Sequence, residues 1–441
     1  MSHPLLSPAP PANRSVVALL LLLIAFSQSR AQVDFEAEPI SYSSSTPTDA
    51  VHALKLAIEA GEAKLEWSEQ HGWLPSVLAR LEVPIDSQTL VFSKTSLQIR
   101  RISPSRPRAL YFNDDIYVGW VQGGDFVELA AVDSKQGAMF YKMAQDPDSP
   151  HILRDRGECL ACHATRRTES VPGFLVRSVF PLASGQPEFR LGTTTTDHTT
   201  PLSQRFGGWY VTGHHGSIRH RGNALLPAGE SDLNTEQYAN QLTLPERFDH
   251  AAYLTDTSDI VALMVLEHQS QMHNRITSCS YRTRRAMYQQ RSMNRILEQP
   301  DDYISDSTGR RIDSAVADLL EYLFFQDEAE LESPIKGSQA FIRRFEAMGP
   351  DDDRGRSLRQ FDLNGRLFKY PCSFLIYSSA IDELPRIARD RLFARMRDIL
   401  NGRDEQLGSH LSAEDRSNIL EILQATHVAF KADGQREGTA P

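Results

Sequence analysis

Five residues, Cys159-Leu160-Ala161-Cys162-His163, constrain this chain more than any other stretch. The pattern is C-x-x-C-H, which in an exported protein reads as a site of covalent haem attachment through two thioethers. The spacing suits the chemistry. Two sulfurs must reach the two vinyl positions on one edge of a porphyrin, and the next imidazole must turn under the iron. His163 is then the proximal iron ligand through one ring nitrogen, and the other nitrogen needs a carbonyl or carboxylate partner to fix the ring.

Other readings of the cysteine pair stay open. It could be half a zinc site, a redox dithiol or a disulfide. A zinc ribbon needs a second C-x-x-C, and only Cys279 and Cys372 remain. A redox dithiol belongs between a strand and a helix in a βαβ unit, whereas the residues from Ala164 to Val171-Pro172-Gly173 read as loop. Haem attachment is favoured provided that the chain leaves the cytoplasm.

The N-terminus meets that condition. The apolar run Val16 to Phe26 follows Arg14 and is followed by Ser27-Gln28-Ser29-Arg30-Ala31. At about eleven residues the run is too short for the roughly twenty of a membrane helix, and Ser29-x-Ala31 suits signal peptidase. Residues 1–31 are therefore expected to be a signal peptide directing the protein to the periplasm or another extracytoplasmic space. An uncleaved membrane anchor is the alternative. The formal charge is −10, and loss of Arg14 and Arg30 takes it to −12. Such a charge argues against nucleic acid as a partner. It would steer a basic redox partner protein or simply keep the chain soluble.

The hydrophobic pattern predicts an α+β protein. Residues 32–47 are Pro- and Ser-rich and read as a polar tether. Residues 48–85 read as a helical segment with Thr48 as N-cap and a second short helix over Leu74–Leu81. From 86 to 225 the pattern turns to strands. Leu90–Phe92, Ala109–Phe112, Ile116–Val121, Phe126–Val132 and Ala138–Tyr141 form an expected antiparallel meander, with Gly123-Gly124 as its clearest hairpin turn. Phe174–Phe180 and Phe189–Thr196 continue the β character. This β-rich unit would carry the haem. Residues 226–430 read as a mostly helical domain with segments at 260–276, 278–298, 312–331, 337–348, 383–401 and 412–426, and 431–441 as a disordered tail.

Several residues are candidates for the distal face of the iron. Four of the 14 histidines, His198, His214, His215 and His220, fall within about 25 residues around the glycine-flanked stretch Phe206–Gly213. His215 and His220 could ligate iron, and Arg219 and Arg221 could bond propionates or polarise a bound ligand. Met264, His268 and Met272 recur every four residues on one predicted helix face, with Asp256 to Asp259 as cap residues. A rigid helix places a ligand better than a loop, so His268 leads, with Met272 on the same stripe and His215 as its main rival. Such a stripe is more often core with one satisfied imidazole.

The C-x-x-C-H stretch resembles the attachment site of c-type cytochromes. More widely, Tyr111–Asp115 with Val118-Gly119-Trp120, Thr196-Asp197-His198, the Gly-Gly-Trp-Tyr-Val-Thr-Gly segment, Glu267-His268-Gln269 with Met272-His273-Asn274, and Tyr370–Ser373 resemble a group of large exported bacterial monohaem proteins described only as cytochrome c-like. The resemblance implies one covalent haem c and an architecture spanning most of the mature chain, but no substrate. One-electron transfer is the leading role. A haem enzyme acting on peroxide or another small oxidant and a gas-binding sensor are the alternatives, and an open iron face would favour them. Cys279 and Cys372 could form a disulfide or stay free.

Overall fold

The computed structural model describes residues 35–431. The expected signal peptide and all but the first residue of the expected tail lie outside the described residues. The chain is α+β. Two helices, α1 (Ala50–Glu59) and α2 (Leu74–Arg80), precede nine strands: β1 (Thr89–Val91), β2 (Arg108–Phe112), β3 (Ile116–Val121), β4 (Phe126–Asp133), β5 (Gly137–Ala144), β6 (Ile152–Arg154), β7 (Arg177–Val179), β8 (Thr193–Thr195) and β9 (Trp209–Tyr210). Between β6 and β7 lies the single helical turn α3 (Leu160–His163). The C-terminal half carries α4 (Ile260–Ile296), α5 (Asp306–Leu323), α6 (Gln339–Ala347), α7 (Arg386–Leu400) and α8 (Ala413–Thr426).

Seven strands make one antiparallel sheet in the order β6-β5-β4-β3-β2-β1-β9, and β7 and β8 pair separately. Alternation puts Tyr111, Val118, Trp120, Val127, Leu129, Met139, Tyr141 and Met143 on one face, in a core shared with α1 and α2. The other face carries Phe112, Tyr117, Ala138 and Phe140, in a core that runs through α4 to the C-terminal helices. On β4 this second face is only half-buried, with Phe126, Glu128, Ala130 and Val132 alternating with fully buried neighbours. The register sets Leu110 opposite Gly119, Gly119 opposite Glu128, and Glu128 opposite Lys142. Ala130 lies opposite Phe140.

The N-terminal stretch differs from the expected tether. Phe35, Ile40 and Tyr42 are buried, and the Tyr42 hydroxyl donates to the Ala138 carbonyl at 2.7 Å. Its three large apolar side chains outweigh the Ser-rich composition around them. The cap of α1 is Asp49, which accepts from the Val51 and His52 amides, while Thr48 donates to Asp133. The two segments expected at 260–276 and 278–298 are one helix of 37 residues, about 55 Å long. No Gly or Pro interrupts it, and Thr277 ties its hydroxyl back to the His273 carbonyl at 2.9 Å. Asp259 caps its start through the Ala262 amide. Helix α5 starts earlier than its apolar periodicity suggests, because Ser305 accepts from the Thr308 amide. It ends before Phe325 and Asp327, both at positive φ.

Candidate functional site

Local chemistry puts the C-x-x-C-H residues on one turn. Asp155 accepts from the Gly157 and Cys159 amides at 3.2 and 2.9 Å, which starts the turn, and the His163 amide closes it on the Cys159 carbonyl at 2.9 Å. The chain then loops back. The Gly173 amide donates to the His163 carbonyl at 2.8 Å, and His163 Nδ1 lies 3.0 Å from the Gly173 carbonyl oxygen. A carbonyl only accepts, so Nδ1 carries the proton and Nε2 keeps its lone pair. Burial lowers the pKa of this imidazole and holds it neutral. Helix α4 fixes the loop, because Asn274 bonds both the amide and the carbonyl of Phe174, each at 2.8 Å.

Cys159, Cys162 and His163 face a cleft. Its floor is the half-buried sheet face, with Leu110, Gly119, Ala130 and Phe140, and its remaining walls come from Phe174, Val176, Trp209, Leu266 and Ser270. Charged groups gather in the same cleft: Arg108, Glu128, Lys142, Glu158 and Arg177. Glu128 meets Arg108 at 2.5 Å, and Lys142 meets Asp155 at 3.1 Å and also Glu158. A flat apolar group bearing carboxylates suits these walls. The donor set fits haem in particular: two thiols and an imidazole with a free Nε2 converge, and the half-buried apolar face beneath them would be covered by a macrocycle. Among the described lining residues, His163 is the sole histidine and there is no methionine.

No family model, curated protein or solved structure matches this chain.

The structure places the expected distal candidates elsewhere. Leu266 and Ser270 are the residues of α4 that line the cleft, and His268 lies roughly 160–200° around the helix from them. His268 is fully buried on the far side. Its Nδ1 meets His198 Nδ1 at 2.8 Å, its Nε2 meets Ser373 Oγ at 2.9 Å, and its ring stacks on Tyr322 and Phe325. Burial pushes its pKa down to about 3. Met264 and Met272 are core residues. His273 points to the Asp114 carbonyl at 2.8 Å.

The loop candidates are also engaged outside the cleft. His215 meets the Ile218 carbonyl through Nδ1 at 2.6 Å and accepts the Asn240 amide at Nε2 at 2.9 Å. His220 accepts the Gly222 amide at 3.0 Å and packs edge-on against Phe206. Arg219 is paired with Glu236 at 2.8 Å, and Arg221 lies over the Phe180 ring at 4.4 Å. Met139 and Met143 sit on the opposite face of the sheet from the cleft. Cys279 and Cys372 are buried free thiols.

Sequence reasoning passed over Arg108, Gly119, Glu128, Lys142 and Arg177. A signal was available for four of them. Arg108, Gly119, Glu128 and Lys142 stand on β2 to β5 at positions in phase with one sheet face, where an apolar, fully covered face would carry no charge.

Proposed function

We propose that this chain is an extracytoplasmic monohaem c-type protein, with haem attached through Cys159 and Cys162 and ligated by His163. The observation that carries the reading is the cleft in which all three residues converge, with the His163 ring held by the Gly173 carbonyl so that Nε2 is the free nitrogen. The bound group would supply one-electron redox chemistry at iron. The chain's own residues would do the rest. Asp155 and the α3 turn set the thiol spacing, Gly173 and Asn274 fix the imidazole, and the sheet face and α4 exclude water. Export rests on the N-terminal segment. Among the described residues no helix is long and apolar enough to cross a membrane.

One observation favours a role beyond plain electron carriage. An electron carrier would commonly hold its iron with a second His or Met beside His163, and neither lines the cleft among the described residues. That lining would leave the iron accessible to a small oxidant or a diatomic gas, with a redox partner protein supplying or removing electrons.

The test is expression with the machinery that attaches haem in a periplasm. The expected result is haem mass that survives acid-acetone extraction and a ferrous spectrum that shifts promptly with carbon monoxide. Extractable haem, or zinc in its place, defeats the attachment. No shift with carbon monoxide defeats the open face and returns the protein to electron carriage.

A further inference from the structure

Arg108, at the start of β2, pairs with Glu128 on β4, so its side chain must cross β3. It can do so because residue 119 on β3 is glycine. A Cβ at Gly119 would lie 2.7 Å from Arg108 Nη2 and 2.8 Å from Nε. The guanidinium therefore lies along the sheet floor. The carboxylate that holds it is itself fixed, with Glu128 Oε1 accepting from Gln98 at 3.2 Å and from Ser96 at 3.3 Å. Arg108 Nε is buried and has no acceptor among the described residues.

Arg177, at the start of β7, reaches the same cleft from a different element. Its guanidinium is half-buried and has neither a hydrogen-bond acceptor nor a carboxylate partner among the described residues. Its charge is set further against it by burial and by the neighbouring Arg167, which lower its pKa. A buried N–H donor without an acceptor is costly, and the half-buried Arg177 guanidinium brings an unpaired positive charge to the same cleft, so acceptors are wanted on the side of its prospective occupant.

We propose that Arg177 and Arg108 form a carboxylate-binding subsite that takes the propionates of the group held by Cys159, Cys162 and His163. The planar fork of Arg177 offers two parallel N–H donors to one carboxylate, and Arg108 offers its Nε–H to the other. Gly119 is the positioning residue, because it keeps the path across β3 open. This subsite rests on the haem reading.

The experiment compares wild-type holoprotein with Arg177→Gln, Arg177→Lys and Gly119→Ala, using resonance Raman bands of the propionate side chains and spectroelectrochemical midpoint potential. Removing a nearby positive charge favours the ferric state. Arg177→Gln is therefore expected to shift the propionate bands and move the midpoint negative. Arg177→Lys should restore the midpoint while leaving the bands shifted. Gly119→Ala should shift the bands by displacing Arg108, with the charge retained. Wild-type protein without covalent haem would overturn the haem reading itself. Covalent haem with unchanged bands in Arg177→Gln and in Gly119→Ala would overturn the subsite alone. So would a wild-type spectral response to added acetate that Arg177→Gln abolishes, since the arginine would then face a free solute.

Discussion

Asn274 bonds the backbone of Phe174 as a neighbouring strand would, accepting its N–H and donating to its C=O, each at 2.8 Å. One side chain on α4 thus holds the loop whose Gly173 carbonyl orients His163. Asn274→Ala leaves two buried backbone groups unmatched, at about 1–3 kcal/mol each. The expected outcome is a stability loss of about 2–6 kcal/mol in denaturant unfolding, with an altered ferric electron paramagnetic resonance spectrum in protein carrying the proposed haem. Asn274→Asp keeps the acceptor, loses the donor, and should fall between. An unchanged spectrum in the alanine variant would mean that the loop is fixed from elsewhere.

The second prediction separates structural from axial histidines. His268 has both ring nitrogens bonded, to His198 and to Ser373, inside a sleeve of Tyr322, Phe325 and Phe368. His268→Ala should therefore cost about 2–4 kcal/mol through the cavity and the unmatched His198 and Ser373 groups. In protein carrying the proposed haem, the ferric spectrum should stay as in wild type. A change of spin state in this variant alone would put the imidazole on the iron.

The sheet was legible because period-two alternation over residues 109–141 has one solution, and the strands formed where that alternation lies. The cap of α4 was legible for a similar reason, as Asp259 bonds the Ala262 amide three residues on. What a helix turns toward the site is not local. The four-residue spacing of Met264, His268 and Met272 marks a stripe, but packing against α5 and the 368–374 segment decides that the stripe faces away from the cleft. Arg219 looked available until Glu236, 17 residues later, folded onto it. Arg177 shows the converse. Its lack of a partner exists only once the strands are assembled.

A thiol count tests two readings together. The chain has four cysteines, and Cys279 and Cys372 are free and buried. Alkylation of unfolded holoprotein without reductant should label Cys279 and Cys372 and spare Cys159 and Cys162. Prior reduction should change nothing. Four labelled cysteines would exclude the thioethers, and labelling of Cys279 and Cys372 only after reduction would reveal a disulfide between them.

The last prediction follows from a carboxyl group buried beside the cleft wall. Glu267 sits between Leu266 and the far-side His268, fully buried, with Oε2 3.3 Å from Arg205 Nη1 and the Thr196 hydroxyl as its other side-chain neighbour. Arg205 is largely committed elsewhere, donating to the Thr200 and His198 carbonyls at 2.6 and 2.9 Å. Desolvation therefore outweighs the ion pair and raises the Glu267 pKa to about 7. The folded-state value lies above the unfolded one near 4.5, so the native state binds the extra proton between them. The contribution to stability is fully present below about pH 4.5 and is lost as pH rises through 7. Its ceiling is about 3 kcal/mol. Asp115, Asp259 and Glu328 are shifted in the same direction by burial, whereas buried histidines such as His220, His268 and His273 are shifted down and add stability as pH rises towards 6.5, so the Glu267 contribution is read from a variant and not from the whole protein's pH profile. Glu267→Gln keeps the shape without the titration. Between pH 5 and pH 8 the variant should gain stability relative to wild type, because only wild type loses the Glu267 contribution, and an unchanged offset between the two proteins would mean that Arg205 keeps Glu267 ionised throughout.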